Sequence, residues 1–119
     1  MDFKATDEQD MIREMVRDFA ETVLAPTVEH RDKTQTPPSE EWQQFLELGL
    51  QGVTVPEKYG GMPVDDISES IIVEELARVD PSFSVMFCVH VGLCTKTIAL
   101  HGDDCLLYTS DAADDLWCV

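Results

Sequence analysis

Apolar side chains recur at spacings of three and four along most of the chain. Ile12, Met15, Val16, Phe19, Ala20, Val23 and Leu24 form one stripe, with Arg13, Glu14, Arg17, Asp18 and Glu21 on the side expected to face water. Thr6 with Gln9 three residues on makes a capping box that starts this helix, and Asp7 and Glu8 suit the positive end of its dipole. Pro26 removes a backbone donor and is expected to kink or end the helix, although Glu29 and Lys33 are spaced to support a further turn or two. Thr34 to Pro38 reads as a loop. A second helix begins near Pro38 or Ser39, carries Trp42, Phe45, Leu46 and Leu48, and stops at Gly49. Gly52, Pro56, Gly60, Gly61 and Pro63 then mark an ordered loop.

Asp65, Asp66 or Ser68 caps a third helix through Ile71, Ile72, Leu76 and Ala77, ending near Val79. Asp80 followed by Pro81 starts a fourth, because proline at the first helical position loses nothing. This helix is apolar almost all round, with Phe83, Val85, Met86, Phe87, Cys88, Val89, Val91 and Leu93, so it needs cover on most sides. It continues through Ile98 and Leu100 to Gly102 as C-cap. The pattern predicts an all-α fold: a bundle of four main helices with the last one central.

The 119 residues suffice for one modest core, and an apolar share of 44% suits a globular protein. A formal charge of −16 excludes the basic face that nucleic-acid binding needs and disfavours docking on anionic lipid. No stretch is expected to reach the about 20 apolar residues of a membrane span. The acidic start, MDFKATDEQD, is unlike a secretory signal, and a soluble cytoplasmic protein is the expectation. Cys94, His101 and Cys105 match no common zinc spacing, so no metal is assigned.

Five segments in order carry a family resemblance: TDEQDMIREMVRDFAETVLAP, ELGLQGVTVPEKYGG, EELARVD, SFSVMFCVHVGLC and IALHG. Together they span nearly all of residues 3 to 102, and the chain there resembles the N-terminal helical domain of the acyl-CoA dehydrogenases. Met62 and Pro63 follow Gly60 and Gly61 where the family usually brings another glycine. The larger departure is the end, DDCLLYTSDAADDLWCV, which has five aspartates, no basic residue and no periodic apolar face. The expectation is a domain over 1–102 and an aberrant, adapter-like, non-native tail over 103–119.

The resemblance implies a fragment of a flavin-dependent enzyme that dehydrogenates acyl-CoA thioesters at the α and β carbons. It implies FAD as cofactor, acyl-CoA as substrate, an electron-transfer flavoprotein as electron acceptor, and a homo-oligomer, a tetramer, in the intact enzyme. The family's base glutamate and most of its flavin contacts lie in regions beyond this domain, so no catalytic residue is assigned and the chain alone is expected to be inactive. The run HVGLCTKTIALHG looks closest to the short-chain, butyryl-CoA type, and an acyl-CoA oxidase remains an alternative.

Within this domain the family draws part of its acyl-chain pocket from the fourth helix. The corresponding positions are Ser84, Val85, Cys88, Val89 and Gly92, which share one helix face and are all small. Phe83, Met86, Phe87 and Leu93 lie mostly elsewhere. Spacing alone fits a neighbouring helix as well as a ligand. His90, Trp42 and Phe45 read as core, Tyr59-Gly60-Gly61 as a structural turn, and the pairs Asp65–Asp66 and Glu74–Glu75 as caps and solvated faces. A free-standing helical interaction module, with no enzymatic role, is the reading from another class.

Overall fold

The first helix starts where the capping box sets it: the Thr6 side chain accepts from the Gln9 N–H, and the Gln9 side chain accepts from the Thr6 N–H. In the computed structural model, which describes residues 1–109 and side chains as far as 106, α1 (Asp7–Phe19) does not end near Pro26. It passes through a π-helical turn, π1 (Ala20–Leu24), into α2 (Ala25–Thr34). The reason is local. Proline inside an α-helix lacks an N–H and clashes with the carbonyl four residues back, and widening the preceding turn relieves the clash. The Ala25 N–H reaches the Ala20 carbonyl, five residues back, and Pro26 follows at once as the second residue of α2. Lys33 pairs with Glu29 at 2.7 Å, and Gln35 ends the helix in the left-handed region.

The chain divides into two compact units. The first comprises Met1–Pro38 and Asp65–Ser84. Here α1 packs along α4 (Asp66–Val79), burying Ile12, Val16 and Phe19 from one and Ile71, Ile72 and Leu76 from the other. The rings of Phe19 and Phe83 lie 5.8 Å apart. Asp65 is the N-cap of α4: it accepts the Ser68 N–H on one carboxylate oxygen and the Gln9 amide on the other.

Arg13 and Arg17, expected to face water, turn instead to α4. Arg17 meets Glu75 at 2.8 Å and Arg13 meets it at 3.0 Å, while Arg78 approaches from within α4 at 3.4 Å. Glu75 is buried, which corrects its reading as part of a solvated acidic face. A second buried pair joins Arg31 to Asp80 at 2.7 Å, and Asp80 also accepts the Phe83 N–H and the Ser82 hydroxyl.

The second unit comprises Ser39–Val64 and the chain from Val85 on. In it α3 (Ser39–Glu47) presents Trp42 and Phe45, whose rings stack at 5.5 Å. Phe45 meets Phe87 edge-on at 5.7 Å, and Trp42 meets His90 edge-on at 5.4 Å, so these three expected core residues are core. The Gly-Pro loop is ordered by backbone bonds from Met62 to Gly52 and from Val64 to Val53. Gly61 is required there: a Cβ at this position would lie 2.0 Å from the Val55 carbonyl oxygen.

The fourth helix runs as α5 (Pro81–Phe87), π2 (Cys88–Thr95) and α6 (Lys96–His101). Its 21 residues, Pro81–His101, are long and apolar enough to cross a membrane by length and composition, with a mean hydropathy of 1.6 over the most apolar 18 of them. This corrects the expectation that no stretch reaches that length. Of that apolar stretch 28% is buried, with Phe87, His90 and Val91 among the buried residues.

Gly102 ends α6 with its N–H on the Ile98 carbonyl, so close that a Cβ would meet that oxygen at 2.6 Å. After it Asp103 caps a short helix, α7 (Asp104–Thr109), by accepting the Leu106 N–H, and Tyr59 bonds to Asp104. The rest of the expected tail, 110–119, lies outside the described residues. Among the described residues the secondary structure is helical, with four main helices and no strand.

Candidate functional site

The five residues expected on one small face of the fourth helix divide into three groups. Ser84 is buried in the first unit, where its hydroxyl donates to the Val73 carbonyl at 3.0 Å. In the second unit Val85 and Val89 stand out at 62% and 49% exposed, and Cys88 and Gly92 are half-buried beside them. Leu93, expected mostly elsewhere, is 71% exposed and continues the row at the same spacing of four. Buried Phe87 and Val91 also repeat at four.

The π segment explains that spacing. Four residues overshoot a full turn of α-helix, so a row spaced by four drifts round the axis. A π turn takes more residues, so there the same spacing falls short. With α geometry to Phe87 and π geometry from Cys88, the two drifts offset, and Val85, Val89 and Leu93 stay in line. On a helical wheel Leu93 falls about 40° beyond Val89 and about 80° beyond Val85, at the edge of the face. The only trace in the sequence is the repeat of four itself.

Titratable groups of the described residues do not make an acid–base centre. A general base works best with a pKa near the operating pH. The Arg17 guanidinium hydrogen-bonded to Glu75, with Arg13 and Arg78 beside it, outweighs burial and holds that carboxyl at about 2. Burial pushes the Asp80 carboxyl up, but its bonds from Ser82, Arg31 and the Phe83 N–H together hold it below the ordinary value. Both are structural anions. An open cleft lined by Glu29, Arg31, Asp32, Gln35, Asp80 and Ser82 includes this satisfied ion pair. No three His, Cys, Asp or Glu side chains converge as metal ligands among the described residues.

A flavin dinucleotide fits these residues poorly. Its pyrophosphate needs cationic groups or a glycine-rich turn opening a helix. Arg13, Arg17, Arg31 and Arg78 are all engaged with carboxylates, and Gly60–Gly61 follows a 3₁₀ turn rather than a strand. No chemical step is assigned to a flavin held by this chain.

Among the described residues the chain is helical, and its most apolar helix carries an exposed apolar row. The sequence profile described as acyl-CoA dehydrogenase, N-terminal domain, matches residues 6–106, and the chain belongs to this family. It is 38% identical over 104 residues to the probable acyl-CoA dehydrogenase YngJ of Bacillus subtilis, covering 87% of this chain and 27% of that protein. Butyryl-CoA dehydrogenase from Megasphaera elsdenii superimposes with a TM-score of 0.86 at 34% identity, over 94% of this chain and 30% of that one. A chain of the structure described as the electron transferring flavoprotein of Acidaminococcus fermentans superimposes at 0.89 with 38% identity, again over 94% and 30%. The chain therefore spans between a quarter and a third of the length of these relatives.

Proposed function

We propose that this chain is the N-terminal helical wall of an FAD-dependent acyl-CoA dehydrogenase, and that Val85, Val89 and Leu93, with Cys88 and Gly92 beside them, face the acyl chain of the thioester. The exposed apolar row on the fourth helix carries the reading. Apolar side chains standing clear of their own unit lower the cost of removing a hydrocarbon chain from water. The butyryl-CoA relative supports a short acyl chain, and the flavoprotein neighbour supports electron transfer to a partner of that kind. Abstraction of the α-proton and binding of FAD are assigned to no residue of this chain.

The test is a chimera in which residues 6–106 replace the matching part of the Megasphaera butyryl-CoA dehydrogenase. The chimera is expected to bind FAD and to bleach it with butyryl-CoA. Val89→Arg in the chimera is expected to raise KM for butyryl-CoA at least tenfold while FAD stays bound, because an unpaired charge in an apolar pocket costs several times the about 1.4 kcal/mol of a tenfold effect. A yellow, active chimera with an unchanged KM after Val89→Arg would remove the row from the pocket.

A further inference from the structure

We propose that Thr95, assisted by Thr54, is a positioning residue whose hydroxyl holds the π register of Cys88–Thr95 and so decides which side chains stand in the exposed row. Its relevance to function rests on the acyl-wall reading above; the register itself does not.

The observation is a difference among the threonines of the long helices. Thr22 donates to the Asp18 carbonyl, Thr34 to His30 and Thr97 to Leu93, each four residues back, and Thr27 reaches three and four residues back. These are the ordinary reaches of a helical hydroxyl. Thr95 donates to the His90 carbonyl, five residues back, at 2.8 Å. That is the reach of the π backbone bond, which the next residue makes from the Lys96 N–H to the Val91 carbonyl.

The same Val91 carbonyl also accepts the Thr54 hydroxyl at 3.4 Å, from the loop after α3. Two hydroxyls therefore fasten neighbouring carbonyls of one widened turn, one from within the helix and one from outside it. If that turn tightened to α geometry, the Lys96 N–H would pair with Gly92, and the spacing of four from Val89 to Leu93 would overshoot a turn. Leu93 would then rotate out of line with Val85 and Val89.

The register can be read directly in the 119-residue chain by NMR, from the scalar coupling across the hydrogen bond between the Lys96 nitrogen and its carbonyl partner. The unaltered chain is expected to couple Lys96 to Val91. Thr95→Val, which keeps the shape and loses the hydroxyl, is expected to move the coupling to Gly92, and Thr95→Ser is expected to restore Val91. Retention of the Val91 coupling in Thr95→Val, or its loss in Thr95→Ser, would overturn the proposal and leave packing as the cause of the π segment.

Should Thr95→Val be too unfolded to assign, Thr54→Val reads the same turn from the loop. There the Lys96 amide is expected to exchange roughly fivefold faster, as for one lost hydrogen bond, with Leu100 unchanged; equal rates at Lys96 would count against the proposal. These outcomes are independent of acyl-CoA. An unchanged KM in the Val89→Arg chimera removes the wall and leaves the register, while a fixed coupling removes the register and leaves the wall.

Discussion

Glu75 shows how one buried carboxylate ties two helices together. Its side chain is 2% exposed, and Arg17 and Arg13 reach it from α1 while Arg78 reaches it from α4. Because its folded pKa is about 2, below the ordinary 4.5, the stabilisation is fully present above about pH 4.5 and is lost as pH falls towards 2. After discounting for the partly exposed arginines it amounts to about 2–3 kcal/mol. Urea denaturation of Glu75→Gln at pH 7 is expected to show a loss of that size, with a flatter dependence between pH 4.5 and 2 than the parent shows. Equal slopes in that window would mean the ion pairs contribute nothing net. Reading α1 as an isolated wheel sent Arg13 and Arg17 to solvent. They lie on the flank of the apolar stripe, and a long arginine there can bury its stem and still reach a partner across the contact.

At the scale of elements, the starts of helices were legible and their interruptions were not. Thr6, Asp65 and Asp80 cap as their residue types require, since an oxygen two or three residues before unsatisfied N–H groups has one favourable use. Pro26 was legible as a disturbance, but its outcome was not. A chain can answer a missing donor by stopping, kinking or widening, and the packing of α1 on α4 together with the Glu29–Lys33 pair favours continuing. The loop after α3 carries a sharper constraint. Gly61→Ala places a methyl against the Val55 carbonyl, a rigid backbone group, and is expected to lower stability by about 2–3 kcal/mol in thermal unfolding. A change below about 0.5 kcal/mol would mean that the loop gives way freely.

For the whole molecule, the exposed row is expected to promote self-association. Val85, Val89 and Leu93 make an apolar strip on a chain of charge −16, where self-association through the strip competes with like-charge repulsion. Replacing all three by serine is expected to reduce concentration-dependent association in analytical ultracentrifugation, with stability changed little because these side chains are at least 49% exposed. Association as strong as the parent's would place the sticky surface elsewhere. The sequence by itself determined the helix order, the caps and the aromatic core of the second unit, because these rest on local periodicity and on residue types with one favourable use, while five ordered motifs carried the family resemblance. Tertiary structure alone decided that Glu75 is buried, that Ser84 turns inward to Val73, and that Leu93 joins Val85 and Val89. Each of these depends on what packs across from the residue, or on a π turn that changes the helical period, and a one-dimensional pattern carries neither.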